Sequence, residues 1–368
     1  MTSLTGLTLT EIEELLPALP RFRAGQIFKW IAKGVNNFDE MTNLPVSFRD
    51  ELKKNFCLYS SAIDNVIEDG ETKKFVFSLK DGAKIESVLL NDGKNRLTAC
   101  LSTQVGCPAG CVFCKTGSLG FKRNLDCAEI IEQFLRLHCI AKGSHEEHKG
   151  TKSTKGGGRT SQAKDFGHVI DNIVVMGMGE PLLNLPNLRK AILLLNDKKG
   201  INFSLRRITI STCGICEGLY DLAQNGPYVR LALSLTTADE TLRQKLMPVT
   251  KSNPLDKIKE KLLLFQSNGG GRITLEIPLL KQINTRETDA KSTAAFAKGL
   301  DTVVNIIPWN PVAGFEFEGK PLCQPGKRET EDFISLLESY GLKVTMRLHK
   351  GREVMGACGQ LGEMANIK

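Results

Sequence analysis

The chain carries the sequence LSTQVGCPAGCVFCKTGSLGFKRNL at residues 101–125. Within it, Cys107, Cys111 and Cys114 follow a C-x3-C-x2-C spacing, and no fourth cysteine or histidine stands at a matching distance. A structural zinc site uses four protein ligands, whereas a 4Fe–4S cluster held by three thiolates keeps one iron open to an outside ligand. The loop therefore predicts an incompletely ligated iron–sulfur cluster.

A glycine-containing motif, MGMGEP, follows the next predicted strand at residues 176–181. Gly177 and Gly179 let the backbone approach a ligand, and Glu180 offers an acceptor to an ammonium group. The cysteine spacing resembles that of the radical SAM superfamily, which implies that the open iron holds the amino and carboxylate groups of S-adenosylmethionine. An electron from the cluster then breaks the sulfonium bond and releases a 5'-deoxyadenosyl radical. Together the motifs predict a 4Fe–4S cluster and S-adenosylmethionine as cofactors.

The composition is typical of a globular protein, with 368 residues, 41% of them hydrophobic and 24% charged. No window approaches the roughly eighteen consecutive apolar residues of a membrane span, so we expect no membrane partner. The eleven cysteines are irregularly spaced behind no secretory signal, which favours metal ligation or thiol chemistry over a disulfide framework. We predict a cytoplasmic protein whose formal charge of +8 favours polyanionic partners.

The pattern of apolar residues divides the chain into successive regions. Apolar positions three and four apart predict a helical domain over 1–70, and a period of two predicts a linking β-hairpin over 71–97. Strand and helix then alternate about six times over 98–345, interrupted at 142–167 by a glycine- and lysine-rich segment that we interpret as a mobile insertion. The remaining residues, 346–368, form a C-terminal segment. The predicted class is α/β: a partial (β/α)6 radical SAM barrel with a small N-terminal helical domain and a linking β-hairpin.

Two local signals refine the N-terminal domain. Thr10, with Glu13 three residues later, predicts a capping box at the start of the first helix. The second predicted helix carries Arg21, Arg23 and Lys29, which could contact RNA phosphate or simply form a solvated face.

Five motifs along the chain resemble the RlmN/Cfr family of radical SAM RNA methyltransferases. They are RFRAGQIFKWI at 21–31, GFKRNL at 120–125, MGMGEPLLN at 176–184, IPWNP at 307–311 and ACGQL at 357–361. The resemblance covers nearly all of the chain except the 142–167 segment. It implies methylation of carbon 2 of an adenine in 23S rRNA, and in tRNA as well. It also implies a monomer that receives electrons from a donor such as flavodoxin or ferredoxin.

The resemblance further implies a mechanism that uses two S-adenosylmethionine molecules per turnover. The first methylates Cys358, and the second yields the radical that removes a hydrogen atom from that S-methyl group. The methylene radical adds to the electron-poor carbon 2 and leaves RNA joined to Cys358. Cys100 then resolves the adduct by attacking the Cys358 sulfur, which leaves a transient disulfide. Glu86 matches the family's proton acceptor, although Cys100 could also take the substrate proton.

Family correspondence also points to seven cofactor-binding residues: Gly179, Glu180, Ser211, Ser234, Leu235, Thr236 and Asn310. Many members have histidine where this chain has Thr236. Ser211 could instead cap a helix, and Asn310 could only shape the turn before Pro311.

Two other functions remain open from the sequence. One is methylation of adenine at carbon 8, as in the antibiotic-resistance branch of the same family. The other is a non-catalytic RNA-binding protein in which the cysteines hold a structural zinc. The Cys213–Cys216 pair resembles a redox motif but lacks a thioredoxin-like context.

Overall fold

A ten-stranded sheet runs through the part of the chain that this computed structural model describes, residues 1–70, 72–93, 96–149, 169–346 and 354–362. Its strands are β3 (Ser61–Asp69), β4 (Thr72–Leu79), β5 (Lys84–Asn91), β6 (Leu97–Cys100), β9 (Ile170–Val175), β10 (Ile208–Thr212), β11 (Arg230–Ser234), β12 (Ile273–Leu279), β13 (Thr302–Pro308) and β16 (Val344–Met346). Across the sheet they lie in the order β16-β13-β12-β11-β10-β9-β6-β5-β4-β3. Three short two-stranded sheets pair β1 (Thr2–Ser3) with β2 (Phe56–Cys57), β7 (Gln104–Gly106) with β8 (Phe121–Asn124), and β14 (Glu316–Phe317) with β15 (Lys320–Pro321).

The strands from β6 to β16 in this sheet are parallel, and each neighbour in the sheet is also the next sheet strand along the chain. A sheet that winds in one direction with helical crossovers has the architecture of a (β/α) barrel. The described helices are α1 (Leu9–Leu15), α2 (Arg21–Ala32), α3 (Val46–Asn55), α4 (Lys115–Ser118), α5 (Cys127–Lys149), α6 (Leu185–Asn196), α7 (Cys216–Asn225), α8 (Glu240–Leu246), α9 (Leu255–Ser267), α10 (Glu287–Ala297) and α11 (Lys327–Ser339). The predicted fold class is confirmed.

The sequence pattern explains why these elements pack as they do. In α6, Leu185, Leu188, Ile192 and Leu195 are buried at helical spacing and belong to the hydrophobic core. In β11 the run from Leu231 through Leu233 is buried without alternation, as expected for a parallel strand covered on both faces.

The N-terminal helices share one hydrophobic core with the barrel. At this boundary the fully buried carboxylate of Glu132 on α5 accepts the N–H groups of Ser60 and Ser61 at 2.6 and 2.8 Å, and the hydroxyl of Thr5 at 2.8 Å. These charge-assisted bonds offset the cost of burying the carboxylate. They fix the position of the N-terminal region against the barrel.

Two local predictions differ from the structure. Residues 61–69 form strand β3 rather than the end of a helical region, and the β4–β5 hairpin joins β3 at one end of the main sheet. The capping box uses Thr8 and Glu11, not Thr10 and Glu13.

The predicted insertion at 142–167 is described only at its start. Helix α5 continues to Lys149, so the first residues of that segment are helical. The rest of the segment lies outside the described residues.

Candidate functional site

A cavity lies at the carboxyl ends of the parallel strands and encloses about 940 Å³, including the open space at its mouth. This volume is within the range of small-molecule sites. Its lining includes the three loop cysteines. It also includes six of the other predicted site residues: Gly179, Glu180, Ser211, Ser234, Asn310 and Cys358.

The three-cysteine loop joins β7 to α4. The N–H of Cys107 donates to the carbonyl of Gly120 at 3.0 Å, and Cys114 is the residue that precedes α4. Burial raises the pKa of Cys107 to about 12 and also raises the pKa values of Cys111 and Cys114. Because iron binds the thiolate form, loading of a cluster must displace these protons.

Cys107, Cys111 and Cys114 all line the cavity, and the Cys111 thiol interacts electrostatically with the other two. Among the described residues, no group of three or more His, Cys, Asp or Glu side chains could hold one metal ion. A 4Fe–4S cluster takes each thiolate on a different iron, so three cysteines that line one cavity suit a cluster. The donor set therefore fits the cofactor that the spacing predicts.

The glycine motif brings backbone close to the start of the cysteine loop. The N–H of Gly177 donates to the carbonyl of Leu101 at 3.0 Å, and Gly179 has a φ of +107°. A side chain at Gly179 would collide with Gln104. Glycine is needed here for both conformation and space.

Glu180 is already bound by several protein donors. Its Oε1 accepts the N–H of Leu182 at 3.0 Å and the hydroxyl of Thr212 at 2.7 Å, and its Oε2 accepts the N–H of Cys213 at 2.8 Å. Burial raises the pKa of Glu180, although these hydrogen bonds act in the opposite direction. A carboxylate has about four acceptor positions, so these three bonds leave one position for the ammonium group that the sequence predicts.

A second carboxylate, Glu276 on β12, was missed from the sequence. It lines the cavity, and the hydroxyl of Ser211 donates to its Oε2 at 3.0 Å. Ser211 also lies 3.3 Å from the hydroxyl of Ser234, so Ser211 is part of this group and does not cap a helix. The detectable signal was one charged residue within the apolar run ITLEIPLL. The three side chains form a polar wall across neighbouring strands.

Leu235 and Thr236 lie beneath this wall, and neither lines the cavity. Both are fully buried, and Thr236 has a φ of +63°. The N–H of Thr236 donates to the carbonyl of Glu276 at 3.2 Å. The described chain offers no hydrogen-bond partner to the Thr236 hydroxyl.

Arg243 on α8 was also missed, because the sequence of a charged helix does not show which of its basic side chains is buried. It is fully buried, and its guanidinium donates to the carbonyls of Cys213 at 2.6 Å and Leu235 at 3.0 Å, and to the Thr250 hydroxyl at 2.7 Å. Burial lowers the pKa of Arg243. Arg243 thus holds the ends of β10 and β11 behind the cavity.

Cys358 reaches the cavity on a segment fixed by hydrogen bonds. Its carbonyl accepts the Nδ2 of Asn310 at 3.0 Å, and the carbonyl of Gly359 accepts the N–H of Lys115 at 2.8 Å. The hydroxyl of Thr116 donates to the carbonyl of Leu361 at 2.7 Å. Asn310 therefore does more than shape a turn, since it binds the segment that carries Cys358.

The two remaining predicted catalytic residues lie outside the cavity lining. Cys100 ends β6 and is 6% exposed. Glu86 on β5 is fully buried, and its Oε2 accepts the N–H of Gly362 at 2.9 Å. None of the eleven cysteines, all within the described residues, forms a disulfide. No described helix is both long and apolar enough to cross a bilayer.

The single-direction winding of strands and helices, with a three-cysteine loop at the strand ends, defines a radical SAM enzyme. Residues 160–291 match the model of the radical SAM superfamily. Residues 2–58 match the ribosomal RNA large subunit methyltransferase N-terminal domain.

Relatives that match over nearly the whole chain identify one family within this superfamily. A protein of Treponema denticola, named a probable dual-specificity RNA methyltransferase RlmN, is 47% identical over 99% of this chain and 96% of its own length. A protein of the same name from Thermotoga neapolitana is 40% identical over 96% of this chain and 94% of its own. The crystal structure of a radical SAM methyltransferase from Sphaerobacter thermophilus has a TM-score of 0.87 at 33% identity, and covers 98% of this chain and 99% of that chain. The chain belongs to the RlmN family of radical SAM RNA methyltransferases, which favours an enzyme over a non-catalytic zinc protein.

Proposed function

We propose that this enzyme methylates carbon 2 of a specific adenine in 23S rRNA and in tRNA, with Cys358 carrying the methyl group as an intermediate. The observation that carries the proposal is the shared cavity, in which Cys358 lies with Cys107, Cys111 and Cys114. The relatives named as dual-specificity RNA methyltransferases support the RNA substrates. Carbon 2 of adenine is electron-poor, so polar attack on a sulfonium methyl group is closed to it.

Different residues of the cavity lining bind the two cofactors. The three loop cysteines hold the 4Fe–4S cluster, and the glycine motif lets the methionine end of S-adenosylmethionine lie against the backbone. Ser211, Ser234 and Glu276 supply hydroxyl and carboxylate groups to the rest of that molecule. When bound, the cluster and S-adenosylmethionine supply a carbon-centred radical, and two S-adenosylmethionine molecules serve each turnover.

Cysteine chemistry completes the turnover. The Cys358 thiolate would take the methyl group from the sulfonium of the first S-adenosylmethionine, which leaves as S-adenosylhomocysteine. After a hydrogen atom is removed from this S-methyl group, its carbon would bond to carbon 2 of the adenine, and the adduct would give up one electron to the cluster and the carbon-2 proton to a base. The Cys100 thiolate then attacks the Cys358 sulfur, so that the sulfur–sulfur bond forms as the carbon–sulfur bond breaks, and the released carbon keeps the electron pair and takes a proton to become the methyl group of the product. The family resemblance leaves Cys100 and Glu86 as the two candidates for the group that takes the carbon-2 proton.

The N-terminal helices supply an RNA-binding surface. Arg21, Phe22 and Lys29 are exposed on α2, and this mixture of basic and aromatic groups suits phosphate contact and base stacking. The net charge of +8 supports the same partner. The enzyme acts as a cytoplasmic monomer supplied by a donor such as flavodoxin or ferredoxin.

The test is product analysis with anaerobically purified protein that contains about four irons per chain. The protein is incubated with S-adenosylmethionine, a reductant and adenine-containing rRNA and tRNA fragments, and the RNA is digested to nucleosides. The proposal predicts 2-methyladenosine from the wild type and none from Cys111→Ala. A product of 8-methyladenosine would instead assign the carbon-8 reaction.

A further inference from the structure

A buried ion pair lies beside the Cys358 segment, on the antiparallel strands β4 and β5. Lys74 and Glu86 are 1% and 0% exposed, and Lys74 Nζ lies 3.7 Å from Glu86 Oε2. Because Lys74 pairs with Val88 in the strand register, Lys74 and Glu86 are diagonal neighbours on one face of the sheet. Burying two charges is costly unless further polar groups meet them.

Those further groups are supplied by the segment that carries Cys358. Lys74 Nζ donates to the carbonyl of Met355 at 3.4 Å, and Glu86 Oε2 accepts the N–H of Gly362 at 2.9 Å. The cation therefore meets an acceptor three residues before Cys358, and the anion meets a donor four residues after it.

The backbone has a positive φ at both of these contacts. Met355 has a φ of +50° and Gly362 has a φ of +112°. The left-handed region disfavours a residue with a side chain such as Met355, so a specific contact is needed to hold this conformation. The Lys74 bond is positioned to do so.

We propose that Lys74 and Glu86 form a clamp on residues 354–362 that positions Cys358 for methyl transfer. Lys74 is thereby a positioning residue, and Glu86 acts on the segment through the same contact. This inference rests on the proposed role of Cys358. Asn310 and Lys115 independently hold the carbonyls of Cys358 and Gly359, and the clamp adds contacts at Met355 and Gly362, on either side of these residues in the sequence.

The experiment compares Lys74→Met with Lys73→Met in the full-length enzyme. Lys73 is the adjacent residue on β4, and its ion pair with the half-exposed Glu68 at 2.9 Å does not involve the Cys358 segment. Hydrogen–deuterium exchange reports on the peptide that covers residues 354–362. Mass spectrometry measures the rate of methylation of Cys358, and reductive cleavage of S-adenosylmethionine is followed in parallel.

The clamp predicts that Lys74→Met accelerates exchange in this peptide about tenfold or more. It also predicts that methylation of Cys358 falls further than cofactor cleavage does, with partial recovery in Lys74→Arg. Lys73→Met should behave as the wild type. Equal exchange and methylation in Lys74→Met and the wild type would overturn the clamp, as would an equal effect of Lys73→Met.

Lys74→Met removes the Lys74 ammonium from beside the buried Glu86 carboxylate and could prevent folding, so a second variant keeps the test decisive. In Lys74→Met with Glu86→Leu, an apolar pair replaces the ion pair, a change that proteins often tolerate. Faster exchange in residues 354–362 of this folded protein supports the clamp, and wild-type exchange refutes it. Exchange does not depend on methylation, so absence of methyl on wild-type Cys358 would defeat the proposed function and leave the clamp separately testable.

Discussion

The side-chain amide of Asn310 donates a 3.0 Å hydrogen bond to the backbone carbonyl oxygen of Cys358. Asn310 follows β13, whose carboxyl end borders the cavity, and the N–H of Lys115, one residue after a predicted cluster ligand, holds the next carbonyl of the same segment. The position of the Cys358 sulfur is therefore linked to the strand ends and to the cysteine loop. Disturbing either connection should affect the methylation of Cys358.

Asn310→Ala tests this link directly. Loss of the bond leaves the carbonyl of Cys358 without that donor, at a cost of about 1–3 kcal/mol, and should slow methylation of Cys358 about tenfold or more. A time course by mass spectrometry measures the rate. Asn225→Ala, which removes a bond between exposed residues of α7, is the matched control. Equal rates in the wild type and Asn310→Ala would refute the link.

Glu276→Gln should weaken binding of S-adenosylmethionine. Hydrogen bonds to charged groups contribute about 1.5–3 kcal/mol, so the dissociation constant should rise about tenfold or more, as measured by anaerobic equilibrium dialysis. Glu338→Gln changes the same charge at an exposed site at the end of α11 and should bind as the wild type does. An unchanged dissociation constant in Glu276→Gln would show that the Glu276 carboxylate does not bind S-adenosylmethionine.

Cys100→Ala should accumulate protein covalently joined to RNA, because the thiol that resolves the adduct is missing. A denaturing gel with labelled RNA detects the adduct, and Cys323→Ala, at an exposed cysteine, should release its product normally. Free, normally methylated RNA from Cys100→Ala would exclude this role.

Arg243→Met should destabilise the cluster-free protein strongly. It leaves the carbonyls of Cys213 and Leu235 and the Thr250 hydroxyl without their donor, and each unsatisfied group costs about 1–3 kcal/mol. The free energy of unfolding in urea should fall by about 3 kcal/mol or more. Arg272→Met, which breaks an exposed pair with Asp301, should change it by less than about 1 kcal/mol. Similar losses in the two variants would contradict the packing role of Arg243.

Stability at acid pH should depend on Asp81. The Arg123 guanidinium lowers the pKa of Asp81 from 3.8 to about 2 in the folded protein. A carboxyl group with a depressed folded pKa stabilises the protein above its unfolded pKa, and this contribution disappears as pH falls through the folded value. Between about pH 4 and pH 2, Asp81→Asn should therefore lose stability less steeply than the wild type. Parallel unfolding profiles over this range would contradict the assignment.

The sequence was most informative where function depends on local spacing. The ligand pattern of Cys107, Cys111 and Cys114 and the glycine motif identified two walls of the cavity, because each lies within one loop. Strand β3 was missed because SAIDNVIED is polar and largely exposed, so its edge pairing leaves little apolar pattern. Thr10–Glu13 and Thr8–Glu11 both satisfy the capping pattern, and only tertiary packing decides where the helix starts.

The long-range contacts could not be predicted from periodicity. Glu86 and Gly362 are separated by 276 positions in the chain, and Arg243 is distinguished from a surface arginine only by what folds over it. The resemblance to the family identified Glu86 but not its bond to the Cys358 segment. Contacts of this kind form only when the whole sheet has assembled and the segment that carries Cys358 lies against β4 and β5.

The most direct test of the central claim is a single-turnover label chase. Protein carrying an isotopically labelled methyl group on Cys358 is mixed with unlabelled S-adenosylmethionine, a reductant and RNA, and the methylated nucleoside is analysed. The account predicts that the label leaves Cys358 and appears on carbon 2 of adenine. Unlabelled 2-methyladenosine, with the label retained on Cys358, would contradict it.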